Sequence, residues 1–394
     1  MTTNANQAQA EKLALSISPD GQFERSDISF SWIGHHNNET TAIWANDSRI
    51  SHGCITAELA DELTTFLTKA ENDSVTRIIL CIDSAGIDLK QSWRAMKATA
   101  KLIKRLLHLR TKHAIATIAI LGTEVGCYGG AYLLASSCQY VLGYPQGRSG
   151  VSGEKVIQHL NPSNNHLNSL FYSAPFRVMN KEVFALLPAS MMQQRDLILT
   201  LQHQPLTQQS LMAEFKELEA CYLEDQYAAL TPACLPAQSP ELSPTQSPSK
   251  TQTSKSTLGF QEATEIGCSE LFGFIEQLLP YLTDHSGHKS ALTLNKLPLI
   301  MGNCEQQFSF LNEQKGYSRY LGLCMKLLRY LSESGVRVRV KVNKRGNGAA
   351  FIALSLMADI IIIKEGSSIY PLPDKAITLL THTNTLKGNE WCIP

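Results

Sequence analysis

The same order of predicted elements occurs twice along the chain, and this repeat limits the possible folds more than any other feature. Each copy reads as a buried strand, a polar turn, an amphipathic helix, a second strand, a glycine-containing turn, a short apolar helix and a third strand. Gly86 and Gly129 in the first copy, and Cys304 and Gly348 in the second, are separated by nearly the same number of residues. Close spacing in two copies indicates a duplicated module. Strands that alternate with helices indicate βαβ units and a mostly parallel sheet.

Hydrophobic periodicity sets the approximate bounds of these elements. Short continuous apolar runs are typical of buried strands, and apolar residues at every third or fourth position are typical of helices that cover a sheet. In the first copy we predict strands over 76–82, 114–121 and 139–144 and a helix over 89–109, preceded by a hairpin over 27–44 and a helix over 56–70. In the second copy we predict strands over 297–302, 336–342 and 359–364 and helices over 260–282, 316–332 and 351–358.

One segment separates the two copies. Residues 232–257, PACLPAQSPELSPTQSPSKTQTSKST, are rich in Pro, Ser, Thr and Gln and contain almost no large apolar side chains. Such a composition cannot form a packed core and is typical of a flexible linker. We therefore predict a first domain over 1–231, a linker over 232–257 and a second domain over 258–394.

The charge balance and the cysteines exclude several classes of protein. Lys plus Arg and Asp plus Glu both number 35, whereas a nucleic-acid or anionic-membrane surface needs a basic excess. The polar start, MTTNANQAQAEK, is unlike a secretory signal, and no apolar run has the length of a membrane span. The ten cysteines contain no CxxC pair, and the histidines have no metal-ligand spacing. We therefore expect a soluble, cytoplasmic protein without a metal site.

The glycine-rich turn of the first copy carries the clearest chemical signal. In 122–144, GTEVGCYGGAYLLASSCQYVLGY, Gly129 and Gly130 stand between a predicted strand and an apolar helix. Glycines at the start of a helix expose backbone N–H groups, which together with the helix dipole favour an anionic oxygen. The DSAG turn, which ends at Gly86, would place a second N–H group beside the first. The pair would form an oxyanion hole; alternatively, the glycines only permit close packing of the helix on the strand.

Two nearby features are less specific. The loop 147–153, GRSGVSG, either shapes a pocket wall or is an ordinary surface loop. Arg148 within it either pairs with a carboxylate or phosphate or is solvated. Cys127 lies in the glycine turn, but no histidine base is predicted near it. We therefore expect Cys127 to be a packing residue and not a nucleophile.

Several stretches together resemble a known family. DSAGIDLKQSW (83–93), the segment 122–144 and GRSGVSGEKVI (147–157) are similar in order and spacing to the β subunit of biotin-independent malonate decarboxylase. LIMGNCEQQF (299–308) and GAAFIALSLMADIIII (348–363) resemble the γ subunit of the same enzyme. The resemblance covers about 28–200 and about 258–385. It implies an α/β fold of two crotonase-like β/α (ββα superhelix) carboxyltransferase modules, fused in one chain.

The family's reaction is the decarboxylation of a malonyl thioester held on an acyl carrier protein subunit. The resemblance therefore implies two partners, that carrier with its CoA-derived prosthetic group and an acyl-transferase subunit, and no directly bound cofactor. Homo-oligomerisation stays open. Loss of CO2 leaves an enolate whose charge lies on the thioester oxygen, which backbone N–H groups can hold without a metal. A proton must then reach the carbon, from water or from Cys127, Tyr128 or Glu154.

The same resemblance assigns roles to individual residues. The predicted catalytic positions, which supply or shape two oxyanion holes, are Gly86, Gly129, Gly130, Gly348 and Ala349. The predicted substrate-binding positions are Ala85, Tyr128, Arg148, Gly150, Gly153 and Glu154.

Two other interpretations stay open. A biotin-dependent acyl-CoA carboxyltransferase component would use the same fold and the same holes, together with a separate biotinyl partner. A non-catalytic structural paralogue is favoured by Gly348-Ala349, where the family has Ser-Gly, and by Ser173-Ala174-Pro175, where we expect a glycine-rich segment. The fold alone does not decide among these functions.

Overall fold

The computed structural model describes residues 4–160, 168–230, 259–260, 265–283, 296–373 and 376. The predicted linker, 232–257, lies outside the described residues, so the division into two domains stays a prediction.

The first half is built around a seven-stranded sheet in the order β1-β2-β3-β4-β5-β7-β9. The strands of this half are β1 (Gln22–Arg25), β2 (Ser29–His36), β3 (Glu39–Asn46), β4 (Arg77–Ile82), β5 (Ala116–Leu121), β6 (Cys127–Tyr128), β7 (Tyr140–Gly143), β8 (Ser149–Gly150) and β9 (Ala185–Leu186). Strands β1, β2 and β3 pair antiparallel, which confirms the predicted hairpin, and all pairs from β3 to β9 are parallel. Strands β6 and β8 form a separate two-stranded parallel sheet.

Helices cover both faces of this sheet. They are α1 (Ala5–Ile17), α2 (Ala57–Asn72), α3 (Trp93–Lys112), α4 (Gly129–Ser136), α5 (Glu154–Leu160), α6 (Ala174–Met179), α7 (Met191–Thr200) and α8 (Gln208–Leu230), with short 3-10 turns at Ser51–Gly53 and Asn168–Tyr172. Helices α1 and α7 pack on one face, where Leu13 and Ile198 meet Ile79 of β4. Helices α2, α3 and α4 pack on the other face. Strands β4 and β5 are buried along their whole length because both faces are covered.

The second half repeats the pattern with fewer strands. Its elements are α9 (Cys268–Leu278), α10 (Pro280–Thr283), β10 (Lys296–Cys304), α11 (Phe310–Gln314), α12 (Tyr317–Glu333), β11 (Arg337–Asn347), α13 (Gly348–Leu354), β12 (Ile360–Ile363) and β13 (Ser368–Tyr370). They form a four-stranded parallel sheet in which β10, β11 and β12 are neighbours and β13 pairs with the end of β11. The predicted α/β class with repeated, mostly parallel β/α units is confirmed.

Several predicted boundaries were wrong, and two of them have a local reason. A turn was predicted over 343–350, but β11 continues to Asn347 because 345–347 pair with β13, and α13 begins at Gly348. The long helix was predicted from residue 89, but α3 begins at Trp93. The carboxylate of Asp88 accepts the amide of Lys90 at 2.7 Å, which holds a turn before the helix.

The two halves share one hydrophobic core. A single cluster of buried side chains runs from the α2–α3–α4 face of the first half into α9, α12 and α13 of the second. Polar contacts cross the same boundary: Lys104 Nζ donates to the carbonyl of Ala358 at 2.7 Å, and Lys326 Nζ donates to Glu214 Oε1 at 2.7 Å. The second half therefore packs against the helical face of the first. Among the described residues, no helix is long and apolar enough to cross a membrane.

Candidate functional site

A cavity of about 1070 Å³ lies where the two halves meet. The first half lines it with the turn after β4 (85–90), the β6–α4 turn (128–130) and the segment 151–156. The second half contributes Gln306, Phe308, Gly348 and Ala349. In open α/β sheets ligands bind beyond the carboxyl ends of the strands, and both predicted turns of the first half occupy that position.

The turn after β4 leaves the backbone amides of Ile87 and Leu89 without an acceptor among the described residues. Gly86 has φ +124°, a conformation that favours glycine, and its N–H donates to Ser84 Oγ at 3.1 Å. The amide of Ala85 donates to the carbonyl of His52, and that of Asp88 to the carbonyl of Ile55. No acceptor for the amide of Ile87 is found among the described residues. Ile87, which follows the predicted Gly86, is thus a donor that this turn can offer to a ligand.

The β6–α4 turn lies directly against this first turn. Gly129 has φ +55°, and its neighbour Gly130 is the second residue of α4. The first N–H groups of a helix have no partner within the helix, and no side chain caps the first turn of α4. A Cβ atom added to Gly130 would lie 2.5 Å from Cγ1 of Ile87, so the two residues are in direct contact. The amides of Ile87 and Gly130 therefore belong to adjacent residues of one cavity wall.

Asp83, which the sequence analysis treated only as part of a turn, supports this wall. Its Oδ1 atom accepts the amides of Val125 at 3.0 Å and Gly126 at 2.8 Å. Burial raises the pKa of the Asp83 carboxyl, although the amide of Gly126 acts in the opposite direction. The position of an aspartate immediately after a buried strand was the available signal.

The loop 147–153 divides into residues that face the cavity and residues that face the core. Arg148 and Gly153 line the cavity, and Arg148 is bonded to Glu154, which also lines it. Gly150 does not line it: an added Cβ atom there would lie 2.7 Å from the ring of Tyr172. Gly150 is therefore required for packing, whereas every other residue assigned to the site, including Ala85 and Tyr128, lines the cavity.

The glycine turn of the second half has a similar backbone conformation, but a side chain of the protein binds its amide. Gly348 has φ +62°, and the amide of Ala349 donates to Gln306 Oε1 at 2.8 Å. The other end of the Gln306 side chain donates from Nε2 to Ser152 Oγ at 2.5 Å. Gln306 is 3% exposed, so its amide group fills the space in front of Ala349. The predicted second oxyanion hole is closed by a side chain of the protein itself.

A buried ionic cluster, which periodicity alone could not reveal, joins this loop to the second half. Arg177 of α6 donates to Glu182 at 2.5 Å and to Glu313 of α11 at 2.7 Å. Glu313 also accepts the amides of Val151 at 3.3 Å and Ser152 at 2.7 Å. Burial raises the pKa of the Glu313 carboxyl, the Arg177 guanidinium opposes this rise, and the neighbouring Glu182 carboxylate adds to it. The cluster fixes the loop that carries Ser152.

Two cysteines lie near the site, and neither is activated as a nucleophile. Cys127 is completely buried and does not line the cavity, and burial raises its thiol pKa well above the usual value. Cys54, which the sequence analysis did not single out, does line the cavity. Burial and the Asp88 carboxylate raise its pKa to about 12. Both thiols are neutral at pH 7, and a neutral thiol is a poor nucleophile.

Comparisons with known proteins give distant similarities. No protein-family model matches the chain. The chain is 20% identical over 104 residues to the malonyl-S-ACP:biotin-protein carboxyltransferase MADC of Malonomonas rubra, and this match spans 26% of the chain and 32% of that relative.

Solved structures give the same picture. One similar structure is the Pseudomonas malonate decarboxylase MdcD–MdcE hetero-dimer, at 20% sequence identity and a TM-score of 0.43. The match covers 48% of this chain and 84% of the matched chain in that structure. Another is transcarboxylase 12S with hydrolysed methylmalonyl-coenzyme A bound, at 10% sequence identity and a TM-score of 0.43. That match covers 96% of this chain and 81% of the transcarboxylase chain. The chain is thus similar to malonate decarboxylase subunits, as its motifs indicated, and to transcarboxylase 12S.

Proposed function

We propose that this chain acts on a malonyl thioester and removes its free carboxylate as CO2. The bond between the carboxylate carbon and the methylene carbon breaks, and its electron pair forms an enolate whose charge lies on the thioester oxygen. One proton then adds to the methylene carbon and gives the acetyl thioester. The step that needs the protein most is the stabilisation of the enolate oxygen, because backbone donors that are already oriented towards it lower the barrier.

The pair of backbone amides at Ile87 and Gly130 is the observation that carries this proposal. Both residues line the cavity and contact each other, and they come from two different turns. Gly86 and Gly129 make the pair possible, because each has a positive φ that other residues rarely adopt. The dipole of α4, which begins at Gly129, favours the same negative charge.

The remaining predicted residues have secondary roles in this proposal. A volume of about 1070 Å³ is enough for an acyl thioester and part of its carrier arm. Lys90 and Lys155 are exposed at the cavity and suit the phosphate of a CoA-derived arm. Arg148, held by Glu154, is positioned to approach the carboxylate that leaves. Tyr128 lines the cavity too, and burial raises its pKa, so its hydroxyl stays protonated; the proton for the carbon would come from this hydroxyl or from water.

The carrier and the partners belong to the same proposal. The thioester would be held by an acyl carrier protein through its CoA-derived prosthetic group, and an acyl-transferase subunit would exchange acetate for malonate. We place the reaction in the cytoplasm, where thiols stay reduced; all eight cysteines that the structure describes are free.

The direct test is to incubate the full chain with malonyl-CoA and, separately, with malonyl-carrier protein, and to measure CO2 and the acetyl thioester. We expect one CO2 for each acetyl thioester, and faster turnover on the carrier. A biotinyl acceptor added to the same assay separates the alternatives: carboxyl-biotin formed in place of CO2 would indicate a carboxyltransferase. No product with either thioester would overturn the proposal.

A further inference from the structure

One carboxylate and two imidazoles converge at the end of α3 that is remote from the cavity. Glu71 lies in the last turn of α2, His108 in α3, and His113 is the residue that ends α3. One potential ligand atom from each lies within 4.8 Å of the others. Nε2 of His113 is 2.8 Å from Oε1 of Glu71, and the centroids of the two imidazole rings are 5.5 Å apart. All three side chains are partly exposed, so an ion can reach them from solvent.

We propose that Glu71, His108 and His113 bind a divalent transition-metal ion of the Zn²⁺ type. Two imidazole nitrogens and one carboxylate oxygen suit Zn²⁺ and its neighbours, whereas Mg²⁺ and Ca²⁺ prefer oxygen ligands alone. Bonds of about 2.0–2.2 Å to a tetrahedral ion place ligand atoms roughly 3.3 Å apart. The contact between His113 and Glu71 is already close to that separation. A movement of the exposed His113 side chain towards His108 brings the three ligand atoms together, and water completes the coordination.

The environment of His108 supports this assignment independently. Its Nδ1 atom lies 2.8 Å from Oε1 of Glu333 in α12, which leaves Nε2 as the nitrogen that can bind an ion. Metal-binding histidines in proteins generally donate their other ring N–H group to a carboxylate in this way, and the bond fixes both the tautomer and the ring orientation. An ordinary surface histidine needs no such partner.

Two arginines surround the cluster without occupying its ligand atoms. Arg105 bonds to Oε2 of Glu71, which leaves Oε1 directed at His113. Arg329 bonds to the same oxygen of Glu333 that holds His108. The arginines orient the two carboxylates. A bound ion would therefore link α2 to α3 directly and, through Glu333, would fasten both to α12 of the second half.

Co²⁺ is the probe of choice because its visible spectrum reports the ligands. We expect the metal-free full chain to bind one Co²⁺ with a spectrum of nitrogen and oxygen ligands and no thiolate charge-transfer band. Excess Zn²⁺ should displace it. His108→Ala and His113→Ala should each abolish saturable binding. Glu333→Gln should weaken the affinity by roughly 10–100-fold, the usual effect of losing a group that hydrogen-bonds to a metal ligand.

Controls separate a specific site from adventitious binding and from misfolding. His36→Ala removes an imidazole from the sheet edge and should leave the affinity unchanged. Melting curves in EDTA establish that each variant is folded, and Zn²⁺ should raise the melting temperature of the native chain but not that of His113→Ala. Affinity that survives both histidine substitutions, a thiolate band, or an affinity unchanged by Glu333→Gln would each overturn the site.

Discussion

The two glycine turns of this molecule, the first at Gly129 and the second at Gly348, have similar backbone conformations. They differ in whether a side chain of the protein already binds the amide of the next residue. Gly129 and Gly348 adopt nearly equal positive φ values, +55° and +62°, and each begins a short apolar helix. Beside Gly130 the neighbouring residue is Ile87, whose hydrocarbon side chain cannot accept a hydrogen bond. Beside Ala349 the neighbour is Gln306, whose carbonyl oxygen accepts the Ala349 amide at 2.8 Å. One neighbouring side chain decides whether a turn can receive a ligand oxygen.

This difference indicates that the two halves of the chain have different roles at the cavity. The amide of Gly130 in the β6–α4 turn has no acceptor among the described residues, whereas the amide of Ala349 in the second turn donates to the Gln306 side chain. Gln306 also bonds to Ser152, whose loop is fixed by Glu313 of the second half. The second half thus supplies a wall of the cavity and the contacts that hold it, while the proposed chemistry takes place on the first half.

The largest effect should follow from breaking the buried ionic cluster that fixes the Ser152 loop to the second half. Arg177→Met leaves Glu182 and Glu313 buried and uncompensated. We expect the free energy of unfolding to fall by about 3–5 kcal/mol, the typical cost of an orphaned buried charge. Urea titration measures it. Arg195→Met, which removes a pair with the exposed Asp196 and a long contact with the Ser16 carbonyl, should cost ~0–1 kcal/mol. Equal losses in both variants would contradict the importance given to the cluster.

Obstruction of the first turn should reduce turnover most strongly among changes at the cavity. In Gly130→Val the new side chain would meet Ile87 at 2.5 Å and separate the two amides. We expect turnover on a malonyl thioester to fall roughly 100-fold or more, the scale of about 2.7–4 kcal/mol for one lost oxyanion donor. Gly273→Val is the matched control, because nothing lies within 4 Å of an added Cβ atom there. A variant that melts like the native chain and turns over normally would refute the proposed hole.

Removing the side chain that closes the second turn, at Gly348, should lower the free energy of unfolding and leave turnover nearly unchanged. Gln306→Ala leaves the buried amide of Ala349 and the hydroxyl of Ser152 without their partner. We expect a loss of about 1–3 kcal/mol in unfolding free energy and turnover within a few-fold of native. Gln314→Ala, at an exposed residue of the same region, should change stability by less than about 0.5 kcal/mol. If Gln306→Ala abolishes turnover in a folded protein, the second turn participates in the reaction.

The smallest effect is expected at Cys127, which lies in the first turn but faces the core. Cys127→Ala should keep most of the turnover, because the thiol does not reach the cavity. Burial raises its pKa well above the usual value, so it stays a neutral thiol through pH 8. Alkylation of the native protein followed by peptide mapping should therefore modify the half-exposed Cys221 before Cys127. A loss of several orders of magnitude in turnover on substitution would restore the nucleophile interpretation.

Local sequence patterns predicted the strands, helices and turns, but not which side chains lie against the two glycine turns. Continuous apolar runs such as the one in TRIILCI located the strands, because a strand covered on both faces has few polar positions. The pair Gly129-Gly130 and the single Gly348 located the two turns, because few other residues adopt positive φ. The closure of the second turn depends on Gln306, which follows β10 and is brought to Ala349 only by folding. The same holds for Arg177 and Glu313, which are far apart in the chain and have no periodic signal.

Gln306 also has an evolutionary consequence. Gly348 must remain glycine, because its φ is +62° and a Cβ atom would lie 2.4 Å from Gln306 Oε1. This requirement is steric and persists even if the second half never touches a substrate. Selection for a well-packed junction will therefore preserve a turn that looks like an active-site motif. Invariance of that glycine among descendants of this chain would record its positive φ and its close fit against the Gln306 side chain.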